Sequence, residues 1–336
     1  MSANDANAGT TSNAFRRLFA AGPSAVALGV VLLAGALALT THSFATLDNL
    51  RVVMLGAAVT IVVGLAQLVV LGAAGMNLSV GAVGGIASVV AGSLMNSFGL
   101  PPAVAIAAAL GAGALAGVLT GGVIARGGFS PFIVTLAVGS ILTGIALGVT
   151  QSIPYYHLPA SFQALGSADL LGAPVIFIVA LAVALIVGLM FRYSAFGRQI
   201  LAFGANPRAA ELAGVPIGQL QVAIYAISGL LAAIAAVLLI ARLGDGDPAV
   251  GKDWLLVSFA APIIGGTRLA GGYVSVTGAV LGAILLSVLV NGLVHWNVDA
   301  FFVQLISGAI ILAAGGIERI REMSAASAER RERRGT

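Results

Sequence analysis

Ten apolar runs, all but the eighth near the length of a bilayer crossing, divide this chain between short polar breaks: residues 24–41, 52–72, 78–97, 102–125, 131–150, 174–191, 220–241, 254–267, 273–292 and 300–317. A hydrocarbon core about 30 Å thick takes roughly 20 apolar residues per helix, and backbone crossing lipid must satisfy its polar groups internally. Charged residues make up 8% of the chain and hydrophobic residues 59%. A soluble domain carries about 25% charged residues, so this chain has too little polar surface for water. The pattern predicts an all-α polytopic membrane protein of about ten transmembrane helices, some of them discontinuous. The eighth run is short for a full crossing and reads as broken or partly re-entrant. The 45 glycines, scattered through the apolar runs, suit close helix contacts in lipid.

Charge orients the runs. With the N-terminus inside, all of the 16 basic residues except Arg51, Arg242 and Lys252 fall on the cytoplasmic side, which satisfies the positive-inside rule. The expected organisation is a cytoplasmic tail at 1–23, a transmembrane domain at 24–317 and a charged cytoplasmic tail at 318–336. Both termini are inside. The run from Ser24 to Thr41 is too long for a signal-peptide core and reads as a retained helix. Segments 151–173 and 242–253 are expected outside. The arginines at the C-terminus read as a solvated tail rather than a nucleic-acid arm.

Several kinds of chemistry are excluded. A phosphate-cradling Walker A loop needs Gly-Lys followed by Ser or Thr. The single lysine lies in Gly251-Lys252-Asp253, so any ATP hydrolysis belongs to another polypeptide. The absence of cysteine removes thiolate and disulfide chemistry. His42, His157 and His295 have no metal-ligand spacing, and no catalytic or metal residues are assigned. Ion-coupled carriers usually hold acids within their spans. Here the acids fall in loops, tails or span ends, with Asp253 in the external segment and Asp299 and Glu318 at the ends of the tenth run.

Three elements stand out. The first is the basic interruption from Arg192 to Gly218, within a cytoplasmic loop at 192–219. It carries Arg192, Arg198 and Arg208 and reads as a short helix between two turns. Asn206 is suited to cap that helix, with Pro207 at its first position. The second is Gly75-Met76-Asn77-Leu78-Ser79-Val80-Gly81, a polar break at the start of a span. It reads either as an N-cap by Asn77 or Ser79 or as a discontinuous helix whose freed N–H groups face a solute. The third is Gly265-Gly266-Thr267-Arg268-Leu269-Ala270-Gly271-Gly272, a tight turn between spans.

These residues resemble the membrane subunit of bacterial ABC importers of the ribose, xylose and galactoside type. The closest likeness is Gly197-Arg198, Ala202-Phe203-Gly204-Ala205-Asn206, Ala209-Ala210 and Ala213-Gly214-Val215, which resembles that family's coupling loop. Pro131-Phe132-Ile133-Val134-Thr135-Leu136, the Gly265–Gly272 turn, Asn291-Gly292-Leu293 and Leu78-Ser79-Val80-Gly81 extend it. The chain departs from the family at Asn77, where an aspartate is usual, at Thr120, where an asparagine is usual, and at Leu255-Leu256-Val257-Ser258 in place of Glu-Leu-Asp-Ala.

The resemblance implies a type II-like ABC importer permease fold in a bacterial inner membrane. It implies docking to an ATPase subunit through Arg198, Asn206, Arg208, Ala209, Ala210 and Gly214, and a pathway touched by Asn77, Ser79, Phe132 and Thr135. The partners would be ABC ATPase subunits holding ATP and Mg, a solute-binding protein, and a second copy or similar permease. The cargo would be a monosaccharide or related solute. A permease for branched-chain amino acids or nucleosides, and an ion-coupled secondary transporter, are the alternative readings.

Overall fold

The computed structural model describes residues 22–41 and 43–299, together with 302, 305, 308 and 309. The tail at 1–21, the C-terminal tail and, apart from those four positions, the tenth run lie outside the described residues. Nine apolar helices occupy the first nine expected runs. They are α1 (Gly22–Thr40), α2 (Leu47–Gly72), α3 (Val80–Asn96), α4 (Pro102–Gly127), α5 (Pro131–Thr150), α7 (Val175–Tyr193), α10 (Ile217–Leu243), α11 (Trp254–Ile264) and α12 (Val276–His295). Seven of them are long and apolar enough to cross a bilayer; α3 and α11 are shorter. Between the long helices lie α6 (Ala160–Ser167), a two-stranded hairpin of β1 (Asp169–Leu170) and β2 (Ala173–Pro174), and the loop helices α8 (Ala195–Ala205) and α9 (Pro207–Leu212).

α2 is the spine of the bundle. Every residue from Ala57 to Gly72 except Thr60 is buried, as expected of a helix apolar on all sides. α7, α10, α11 and α12 pack around it. α4 and α10 approach most closely, along Gly113, Gly117 and Gly121. A methyl group at Gly117 would strike the carbonyl of Tyr225, and one at Gly113 would strike Gly229. Small residues every fourth position let two backbones meet and gain packing energy without a hydrophobic driving force. Thr120 on this helix satisfies its hydroxyl on Ala116 O at 2.7 Å, so it needs no partner from another element.

The bundle has two distinct ends. At one, Arg51 of α2 reaches Ser167 O (2.7 Å) and Asp169 (3.2 Å), which gathers α6 and the hairpin. At the other, α8 and the 265–272 turn meet the C-terminal end of α2. Near the hairpin end, Asn49 and Asn291 exchange amide hydrogen bonds at 3.0 and 2.9 Å, and Gly292 receives Leu37 of α1. The expected Asn291-Gly292-Leu293 element therefore joins α1, α2 and α12.

One expectation needs refining. Segment 242–253 is not a loop confined to one end. After Tyr155 and Gly246 pair through both backbone groups (3.0 and 2.9 Å), the chain runs inward along α3. Ser88 Oγ donates to Asp247 O at 2.9 Å, Gly85 faces Pro248 and Val250, and Gly81 touches Gly251. The eighth run is then helical only over Trp254–Ile264. Segment 151–173 carries α6, which buries Phe162 fully and presses Gly166 on Ala241.

Candidate functional site: the loop helices and the break before α3

The interruption after α7 contains two helices where the sequence suggested one. Ser194 starts α8, accepting from Gly197 N at 2.9 Å while its hydroxyl donates to Met190 O at 2.6 Å. Asn206 ends α8 and starts α9. Its Oδ1 accepts from Ala209 N at 3.0 Å, with Pro207 in the first turn, as expected of an N-cap. Gly214 closes α9 in a left-handed conformation (φ 82°), which a glycine adopts without strain.

α9 stands clear of the bundle. Asn206, Pro207, Arg208, Ala209, Glu211, Leu212, Ala213 and Gly214 are exposed. Arg198 is also exposed, and its guanidinium donates to Tyr193 O at 3.2 Å. Ala210 is the exception to the expected docking set: it is 4% exposed and packs inward, so it anchors α9 rather than presenting a contact. Leu212 was not anticipated. It is an apolar side chain 85% exposed at the end of a polar helix. Its apolar character was lost in the sequence among the many leucines of the spans.

A glycine junction ties α8 to the bundle. Gly272 N donates to Gly72 O at 3.0 Å. A methyl group at Gly204 would strike that same Gly72 carbonyl and the Gly272 nitrogen, and one at Gly271 would strike Ala74. Four chain segments meet there: α8, the end of α2, the break after it and the 265–272 turn.

The break spans residues 73–79 and climbs back beside α2. Asn77 Nδ2 donates to Ser228 Oγ of α10 (2.8 Å), while its Oδ1 accepts from Ser79 N (3.0 Å) and the Ser79 hydroxyl (2.6 Å). The fully buried Gln67 amide donates its nitrogen to Asn77 O (2.9 Å) and accepts from Asn77 N (3.2 Å). Tyr225 OH donates to Met76 O at 3.1 Å. The backbone groups freed by breaking the helix are thus satisfied by side chains of α2 and α10, as non-helical backbone at membrane depth requires.

Of the expected pathway residues, Asn77 and Ser79 come together but are buried inside the bundle. Thr135 is also buried, its hydroxyl on Pro131 O at 2.8 Å. Phe132, a turn away on α5, is 51% exposed. Gln67, Tyr225 and Ser228 were missed. Their types (one amide, one phenol and one hydroxyl within apolar runs) were the available signal.

A family model described as branched-chain amino acid transport system / permease component matches residues 49–315, most of the chain and all of the site above. The chain belongs to this permease family. The permease is 32% identical to the fructose import permease of Rhizobium meliloti over 90% of this chain and 84% of that protein. It is 30% identical to the ribose import permease of Escherichia coli K12 (85% and 90%) and 31% identical to the D-allose transport system permease of the same organism (84% and 86%). No solved structure matches the permease significantly. Membership and seven long apolar helices make it a multi-pass membrane protein. Asp253 is the N-cap residue of α11.

Proposed function

We propose that this chain is the membrane-spanning subunit of an ATP-driven importer in the bacterial inner membrane, with both termini cytoplasmic. It forms the translocation pathway for a monosaccharide or related hydroxyl-rich solute. The observation that carries this reading is the capped helix α9, projecting from the bundle on Asn206 and Pro207 and joined to it through Gly204, Gly72 and Gly272.

A short helix exposed on nearly all sides and rigidly rooted can transmit a push from a partner. Arg198, Asn206, Arg208, Ala209, Leu212 and Gly214 form the surface for an ABC ATPase subunit, which carries ATP and Mg. Rigid-body movement of that subunit, relayed through the glycine junction, shifts α2 and the break and alternates access to the pathway. A soluble binding protein delivers solute at the hairpin end, and a second copy or similar permease completes the pore.

Asn77 and Ser79 act from within, by fixing where α3 begins. Phe132 contributes from the exposed side of α5, and Thr135 stiffens its first turn. The sugar class follows the relatives, which are import permeases for fructose and ribose and a transport system permease for D-allose. The family description favours one second reading, a branched-chain amino acid substrate. Ligand binding by the binding protein that co-purifies with this chain separates them. Binding of a monosaccharide supports the proposal, and binding of leucine or valine overturns the sugar assignment.

A further inference from the structure

The inward-running segment 244–253 carries two charges to an unusual place. Gly246 sits beside Gly92 and Gly251 beside Gly81. At the helical rise those two positions on α3 are about 16 Å apart. From Trp254, α11 runs about 16 Å further to the end of the bundle that holds the 265–272 turn. Lys252 and Asp253 therefore lie near half-depth of a core about 30 Å thick. Both are exposed, and neither side chain makes an ion pair or hydrogen bond among the described residues.

Lys252 borders a cleft of about 150 Å³, walled by Gly81 and Gly85 of α3, Thr143 and Leu147 of α5, and Pro248 of the segment itself. Charged side chains at that depth face a bundle interior or a water-filled cavity. Exposed non-helical backbone there is tolerated only along such a cavity. Two independent features, charge and irregular backbone, thus point to water on the same surface.

We infer that residues 248–253 form a wall of the aqueous pathway, where the Lys252 ammonium and the Asp253 carboxylate offer a donor and an acceptor to a hydroxyl-bearing solute. The pair is neutral overall, which suits an uncharged polyol. This rests on the permease reading above and gives it a solute-facing surface that the buried Asn77 and Ser79 do not.

The chain has no cysteine, so single cysteines report accessibility without background. A249C and K252C are introduced singly, with I186C on the exposed apolar face of α7 as a lipid-facing control. A charged, membrane-impermeant methanethiosulfonate is applied to intact cells and to inside-out vesicles. The expected result is modification of A249C and K252C at least tenfold faster than I186C in one of the two preparations. A249C keeps both charges, so it answers even if K252C folds poorly. Reaction no faster than I186C in both preparations overturns the wall. This readout needs no solute, so it is separate from the importer reading. For whichever of ribose, fructose or allose the assembled importer takes up, the K252M/D253N double variant is expected to raise KM severalfold. An unchanged KM overturns the solute contact.

Discussion

The side chain of Asn77 donates to Ser228 Oγ at 2.8 Å, joining the break before α3 to the middle of α10. Both residues are buried, and the same amide holds Ser79 N and its hydroxyl. N77L leaves those groups unpaired, and each such buried group costs about 1–3 kcal/mol. The unfolding midpoint in detergent is expected to fall clearly. N77D keeps the acceptor for Ser79, and the Ser228 hydroxyl can turn to donate. It should therefore unfold above N77L; an N77D protein less stable than N77L would contradict this account of the break.

The glycine junction has no room for a side chain. G204V would drive a branched side chain into the backbone of Gly72 and Gly272, and forced overpacking costs about 1–3 kcal/mol. G218V is a control at a glycine with open space around it. A lower midpoint for G204V, with G218V much closer to wild type, is the expected outcome of paired melts.

α9 should separate docking from folding. Leu212 is exposed and supports nothing in the bundle, so L212D is expected to leave abundance and melting unchanged while reducing co-purification of the ATPase subunit. N206A removes a cap worth about 1 kcal/mol and is expected to loosen the same helix with a smaller loss of co-purification. Normal ATPase recovery with L212D would remove α9 from the interface.

Some bridges should matter little. Arg51 and Asp169 pair at 3.2 Å with both side chains more than 40% exposed. Such exposed pairs contribute about 0–1 kcal/mol. D169N is expected to shift the melt marginally. R51A, which also loses the bond to Ser167 O, should shift it slightly more.

The first nine apolar runs were legible because hydrocarbon thickness imposes one length on every crossing, and the Asn206 cap because it is made by neighbours in the chain. Contacts between distant segments were not legible. Ser228 lies 151 positions from Asn77, and nothing in an apolar run marks which hydroxyl will meet a break. Charge misled at 242–253. Asp245, Asp247, Lys252 and Asp253 read as an external loop, whereas the polar backbone of that stretch runs along α3 on small residues that leave space for it. Ala210 was grouped with its exposed neighbours because a six-residue helix is too short for periodicity to reveal its inward face.

The central claim is that a partner's ATP cycle moves this bundle through α9. Its most direct measurement is solute uptake by the permease reconstituted in proteoliposomes with its ATPase subunit and binding protein. The account predicts uptake that requires ATP, survives an ionophore that collapses ion gradients, and falls with L212D. Uptake that continues without ATP and is abolished by the ionophore would contradict it.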